Sequence, residues 1–523
     1  MRGGDANAGD ARLTQSFRLT SEHLDRFAEA SGDHNPLHLD DLFAHETPYG
    51  RRIAQGALVT TAALGVVDAG TLERTTALDV QFRQPVFPDE DAAITLEGSE
   101  DERTVVKVLQ RGRTAATVTI TSDPEAAPPR DVEAPPHEAE AGTPRSWTIE
   151  ELAAGDVSLS VPYVARPDEL RALAADVGAA GVPPAILVWL AAASYTVGML
   201  VPGRDAVFAG ARIDRHSLEE AGALTVVVTA VDDRTGLVAL DVTLQRGPAS
   251  ARMTLNTFLR ARVPSPTRAG LDRHLPPSDR LAGRNVLVVG ASRGLGAALC
   301  GALAGQGANV WAGFSRSADR AEGLRAEFGE DRVRLLRFDA EDAEDTRRAV
   351  SSIRAETGSL DGVALCAAPP LYEAPLHSDA SVAALRFVES SLAMTLLPLA
   401  EATTSLAPEG WLVVVSSSAV EDPPEGWLHY VTAKAALEGV AAHVARHLGC
   451  RVLVPRPPRM WTDSTNTPMG RLGAVDNEEV AAAIARWVLD GDPLAGDVQI
   501  LSPERLMEPP EPKLAQEPAT GEL

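Results

Sequence analysis

Two stretches rich in proline and charge, 122–146 and 262–282, interrupt this chain of 523 residues and leave three segments, each long enough for a core of its own. The first stretch is almost wholly Pro, Ala, Glu and other polar residues, a composition that buries little. The second carries Pro264, Pro266, Pro276 and Pro277 between charges. The tail from about Pro509 is rich in Pro and Glu and is expected to be disordered. Three folding units are therefore expected, over 12–121, 147–262 and 283–503.

Periodicity gives each unit a class. In the first, a helical pattern over 21–30 precedes an apolar, Ala/Gly-rich helix over 56–67. Strand patterns follow at 78–83, 92–96, 104–110 and 114–121. A central helix wrapped by an antiparallel sheet is the hot-dog pattern, an α+β fold. The second unit repeats that grammar, with a helix over 183–200 and strands at 207–213, 224–232, 237–245 and 251–259. A double hot-dog is expected, its two halves pairing inside one chain. The third unit alternates strands at 285–289, 309–314, 333–338, 362–367, 411–416 and 451–454 with helices. That alternation predicts an α/β, Rossmann-type doubly wound parallel sheet.

Composition excludes several roles. A net charge of −25 argues against nucleic acid or an anionic membrane surface as the main partner. An acidic carrier protein would have to dock on a local basic patch, which the sequence does not locate. Cys300, Cys366 and Cys450 are scattered and odd in number, so no disulfide framework is expected. No run of about 18 apolar residues and no N-terminal signal pattern stand out, so a soluble, cytoplasmic protein is expected. No Cys/His spacing suits zinc, and no metal is assigned.

Three blocks in the first unit carry chemistry: Ser31-Gly-Asp-His-Asn-Pro-Leu-His38, Tyr49-Gly-Arg-Arg-Ile-Ala-Gln-Gly56 and Phe82-Arg-Gln-Pro-Val-Phe87. An isolated Asp-x4-His is more often a polar turn capping a helix. Three blocks in this order resemble instead the MaoC-like (R)-specific enoyl-thioester hydratases and dehydratases, over about residues 15–121. The resemblance implies Asp33 and His38 as the catalytic pair and Asn35 beside them. It also implies the backbone N–H of Gly56 as a donor to the thioester oxygen. A carboxylate and an imidazole can share removal of an α-proton and protonation of a leaving hydroxyl. A helix start suits the charge that develops on the thioester oxygen. The second unit has no such pair, so it is expected to shape the acyl pocket rather than to catalyse.

In the third unit, Val288-Val-Gly290-Ala-Ser-Arg-Gly294-Leu-Gly296 follows a strand and opens a helix, which suits a pyrophosphate. Asp339, Ser416-Ser417-Ser418 and Tyr430-x3-Lys434 accompany it. Together these resemble the short-chain dehydrogenase/reductase family over about 283–503, and within it β-ketoacyl-thioester reductases. The resemblance implies Tyr430 as proton donor, Lys434 as the group that lowers the tyrosine pKa and binds the nicotinamide ribose, and Ser417 as the holder of the substrate carbonyl. It implies cofactor contacts from Gly290, Ser292, Arg293, Gly294, Leu295, Gly296, Ser315, Arg316, Asp339, Ala367, Tyr430, Lys434 and Thr462. The second strand ends Gly313-Phe-Ser-Arg316 without a carboxylate, and with Arg293 this favours NADPH over NADH. The family's Asn-Asn-Ala-Gly reads Leu365-Cys-Ala-Ala368 here, its helix asparagine falls at Ser390 or Ser391, and its Pro-Gly is Pro457-Pro458.

The two resemblances imply consecutive steps on one acyl thioester, carried by acyl carrier protein or CoA. A β-ketoacyl group would be reduced to the (3R)-hydroxyacyl group and dehydrated to the trans-2-enoyl group, as in fatty-acid-like or polyketide chain building. Two alternatives stay open. The same sites run backwards would make an (R)-specific enoyl-CoA hydratase and 3-hydroxyacyl-CoA dehydrogenase of acyl degradation. A non-catalytic acyl- or nucleotide-binding partner is the other. A homodimer is expected from the reductase resemblance.

Overall fold

Every second residue along the N-terminal strands turns inward. Strand β4, for example, buries Thr104, Val106, Val108 and Gln110. The computed structural model describes residues 13–100, 102–126, 142–216, 221–467, 470–490 and 498–508. The proline-rich stretch at 127–141 and the tail from Pro509 lie outside them.

The first half supplies β1 (Leu13–Arg18), β2 (Thr75–Phe82), β3 (Asp91–Glu100), β4 (Arg103–Gln110) and β5 (Arg113–Ser122). The next segment supplies β6 (Ser158–Val161), β7 (Ala206–Arg215), β8 (Ala221–Asp232), β9 (Leu237–Arg246) and β10 (Ala251–Leu259). These form one antiparallel sheet in the order β1-β3-β4-β5-β2-β7-β10-β9-β8-β6. The halves join where Ala77–Gln81 of β2 pairs with Asp214–Gly210 of β7. Two helices apolar on every face, Gly56–Leu64 and Pro184–Tyr195, lie against each other in the core. Trp189 sits there fully buried, its indole N–H donating to Ala249 O at 2.8 Å. Each large side chain so buried stabilises the fold by roughly 1.5–3 kcal/mol.

The expected single helix over 183–200 is a correction. The α-helix ends at Tyr195 and continues as a π-helical turn, Thr196–Leu200. Gly198 lies in that turn directly against Asp33, where a Cβ would collide with the carboxylate.

The C-terminal part supplies β11 (Asn285–Val289), β12 (Asn309–Phe314), β13 (Val333–Arg337), β14 (Leu360–Leu365), β15 (Leu406–Val414), β16 (Arg451–Pro455) and β17 (Val498–Leu501). All pair in parallel, in the order β13-β12-β11-β14-β15-β16-β17. The order reverses beside β11 and β14, which opens a crevice at the strands' carboxyl ends. The stretch 262–282, expected as a linker, is corrected too. It folds into the helix Arg268–His274, whose Leu271 is buried in the core of the parallel sheet's layer. The backbone N–H of Thr267 donates to Glu478 Oε1 at 2.8 Å and fixes the helix start.

The 26-residue helix Ser378–Thr403 packs on the helices Ala343–Thr357 and Leu428–Leu448. Its portion Ala380–Thr403 is long and apolar enough to cross a membrane by length and composition alone. Val382, Leu385 and Leu396 on it are exposed.

Candidate active sites

Asp33 follows a helix (Ser21–Ser31) that stops at Gly32, which adopts a positive φ of 77°. The carboxylate is buried. Its Oδ1 accepts the N–H of Asn35 at 3.3 Å and its Oδ2 accepts the hydroxyl of Ser194 at 2.6 Å. Burial pushes its pKa up, against the opposing pull of His38, Ser194 and the Asn35 backbone. Asn35 caps the short helix Pro36–Leu39, its Oδ1 accepting from Leu37 N at 3.0 Å. Its Nδ2 donates to the carbonyls of Gly198 and Gly203, both at 3.0 Å. The amide thereby ties the Asp33 loop to the turn around Gly198 and to Gly203.

His38 Nδ1 lies 2.8 Å from Ile53 O. A carbonyl only accepts, so Nδ1 carries the proton and Nε2 keeps its lone pair for chemistry. Burial lowers the imidazole pKa, opposed by Asp33 and the Ile53 carbonyl. Gly56 is the first residue of its helix, and the Phe82 ring lies so close that a Cβ would come within 2.6 Å of it. Phe82 in turn meets Phe208 of the second half, ring centroids 5.2 Å apart.

The C-terminal site is a cavity of about 1140 Å³. Gly290, Ser292, Arg293, Gly294, Leu295, Gly296, Ser315, Arg316, Asp339, Ala367, Ser417, Tyr430, Lys434 and Thr462 all line it. Gly290 and Gly294 adopt positive φ angles of 80° and 57°. A Cβ on Gly290 would strike the Ala367 backbone, and one on Gly296 would strike Gly290 O. The backbone cradle before the helix Gly294–Gly305, with a lysine and two arginines around it, fits a dinucleotide.

Lys434 is buried, donates to Val415 O at 2.9 Å, and is lowered by burial to about 8, with Cys366 opposing. Its Nζ is 5.8 Å from the Tyr430 ring centroid. Burial raises the Tyr430 pKa while a hydrogen bond with Ser417 lowers it, and the net shift is upward. The Tyr430 ring is held edge-on by Phe387 and Trp427. Of the two serines at the family's asparagine position, Ser390 lines the cavity and bonds Glu341, whereas Ser391 turns back to Phe387 O at 2.7 Å. Among the described residues no three His, Cys, Asp or Glu side chains gather as a metal site would require.

Residues 5–120 match the model of the MaoC like domain, and residues 284–466 match that of short chain dehydrogenase. The cyclic-di-GMP-binding biofilm dispersal mediator protein of Escherichia coli is 30% identical over 194 residues, 36% of this chain and 78% of that protein. The chain belongs to the short-chain dehydrogenases, with a MaoC-like domain fused ahead. The 3-hydroxybutyryl-CoA dehydratase of Methylorubrum extorquens is 32% identical over 105 residues, 20% of this chain. Protein MaoC of Klebsiella aerogenes is 34% identical over 92 residues, 17% of this chain. The chain spans 64% of the first and 28% of the second. Among solved structures, a short chain dehydrogenase from Burkholderia cenocepacia in complex with NADP is 25% identical. The match covers 43% of this chain and 98% of that one at a TM-score of 0.39.

The MaoC-like and dehydrogenase domains meet at a built seam. Arg293 Nη1 donates to His45 O at 2.9 Å, and Arg320 Nε lies 3.1 Å from Glu46 Oε2. Burial, then the charges of Arg293 and Arg316, lower His45 to about 4. Arg111 grips Glu90 through two hydrogen bonds (2.9 and 2.8 Å), with its guanidinium 4.3 Å from the Phe87 ring centroid and 4.5 Å from that of Tyr372. Arg113 pairs with Glu373 across the same seam.

Sequence reasoning missed Ser194, Gly198 and Tyr163, whose hydroxyl donates to Ser31 O at 3.0 Å. All three come from the segment without a catalytic pair of its own. A serine and a glycine inside an otherwise apolar helix were the available signal.

Proposed function

We propose that the chain reduces a β-ketoacyl thioester to its (3R)-hydroxyacyl form and dehydrates that product to a trans-2-enoyl thioester. The fold that serves this reading is a double hot-dog over 12–121 and 147–262, followed by the reductase at 283–503. The observation that carries it is the gathering of Ser417, Tyr430 and Lys434 on the wall of the same cavity as the glycine cradle.

A nicotinamide bound there supplies the hydride. Tyr430, kept protonated by burial, gives its proton to the carbonyl oxygen that Ser417 holds. Lys434 places a positive charge beside the tyrosine and stabilises the phenolate left behind. Arg293 and Arg316, with no carboxylate at the end of β12, favour NADPH over NADH. In the MaoC-like domain the free Nε2 of His38 takes the α-proton, and Asp33, its pKa raised, protonates the leaving hydroxyl. The Gly56 N–H, at a helix start, meets the thioester oxygen. The substrate would be carried by CoA or an acidic carrier protein, in the cytoplasm. The exposed Val382, Leu385 and Leu396 support a homodimer that pairs through the helix Ser378–Thr403.

The test is cofactor oxidation with acetoacetyl-CoA, comparing NADPH with NADH, and mass spectrometry of the products. The expected result is oxidation that yields hydroxyacyl and then enoyl product, abolished in Tyr430→Phe and halted at the hydroxyacyl stage in Asp33→Asn. If neither CoA nor carrier-protein substrates turn over, the reading fails.

A further inference from the structure

We propose that the hydroxyacyl thioester made at Tyr430 passes to the Asp33/His38 pair along the seam between the two domains, without first leaving the molecule. This rests on the function proposed above.

Three observations carry it. The cavity that holds Tyr430 has a second wall, contributed by the MaoC-like domain through Tyr49, Gln84, Phe87, Gln110 and Arg111. That wall backs onto the dehydratase base. Phe87 and Tyr49 pack with Leu37 and Ile53, and Ile53 O is the acceptor that fixes the His38 tautomer. Finally, the seam is held at several independent points. Arg111 is sandwiched between Phe87 of one domain and Tyr372 of the other, Arg113 pairs with Glu373, and Gly50 sits against Pro370 so closely that a Cβ would collide. The reductase cavity is thus bounded by the domain that carries Asp33 and His38.

The chemistry closes without another reactant. Reduction breaks the C=O π bond and forms C–H at the β-carbon and O–H on its oxygen, while the nicotinamide is oxidised. Dehydration then breaks the α C–H and the β C–O bonds, forms the C=C bond and releases water. The β-carbon is the reacting centre in both steps, so only one end of the acyl chain has to move between sites.

Isotope dilution on the full chain tests this. Labelled acetoacetyl-CoA and NADPH are supplied with roughly tenfold excess of unlabelled (3R)-hydroxybutyryl-CoA, and early enoyl product is analysed by mass spectrometry. Transfer predicts an enoyl label several-fold above that of the free hydroxyacyl pool, without a lag. Label equal to the pool overturns transfer and leaves the proposed function standing, provided each step runs with its own substrate supplied alone. Failure of either step alone overturns the function and transfer together. Arg113→Glu should bring the enrichment down to the pool value, and the swap Arg113→Glu with Glu373→Arg should restore it. The wedge variant Gly50→Val should act like the single charge reversal. Enrichment that survives in both Arg113→Glu and Gly50→Val overturns the seam as the route.

Discussion

Asp33 illustrates how one residue can cost the fold what it gives the chemistry. Its carboxyl is buried and its pKa raised, so the ionised form is a burden that the unfolded chain does not carry. The stability it withholds is absent below the ordinary value of 3.8 and grows as pH rises toward the folded pKa. Asp33→Asn should therefore melt at a higher temperature than the parent at neutral pH, with the gap closing as pH falls, while dehydration drops by about 10²–10⁴-fold. Calorimetry across pH, run beside a dehydration assay, checks both halves; an unchanged or lower melting temperature at pH 7 would falsify the first. Lys434 works in the opposite direction. Lowered to about 8 from 10.5, it loses its charge within the range of an ordinary assay. Reductase turnover should fall as pH rises through about 8, and Lys434→Arg should lose that fall even where its rate is low. Fold stability should rise over the same window, because the unfolded chain there binds the extra proton. The sequence made these residues legible because their spacing is local: Asp33 and His38 share a loop, Tyr430 and Lys434 a helical turn. The groups that tune them come from far along the chain, as Ser194 does for Asp33 at a separation of 161 residues, and no local pattern announces such a partner.

At the scale of elements, the strands were the most legible part. The expected strands at 285–289 and 309–314 coincide with β11 and β12, because buried parallel strands are short, uninterrupted apolar runs. The π-helical turn at Thr196–Leu200 was not legible, since an apolar helix reads the same whichever carbonyl each N–H finds. Nor was the helix Arg268–His274: its flanking prolines signal a linker, and only the burial of Leu271 shows that it is packed. The turn around Gly198 supports the loop that carries Asp33, with Asn35 bonded to its carbonyl and Asp33 against its Cα. Gly198→Ala should displace the Asp33 carboxylate, lowering dehydration at least as much as stability, with reduction by the dehydrogenase domain retained. Parallel assays of the two half-reactions check this, and equal loss of both would point to global unfolding instead.

For the whole molecule, the exposed apolar stripe on the helix Ser378–Thr403 sets an expectation about assembly. Leu385 is 70% exposed, and if the proposed homodimer pairs through this helix, Leu385→Arg should give a monomer in light scattering while leaving the melting transition in place. A different consequence follows from the pairing of β2 with β7. The ten strands are one sheet, so the border between the first two units is a row of hydrogen bonds rather than a loop. A gene cut after Ser122 would encode a piece whose newest edge is the side of β2 that Gly210–Asp214 of β7 normally keeps covered. Such a piece would inherit Asp33 and His38 but neither the serine that steadies the carboxylate nor a neighbour for its bare edge. Its readiest remedy would be to pair that edge with another copy of itself, so the second half guards the first against self-association.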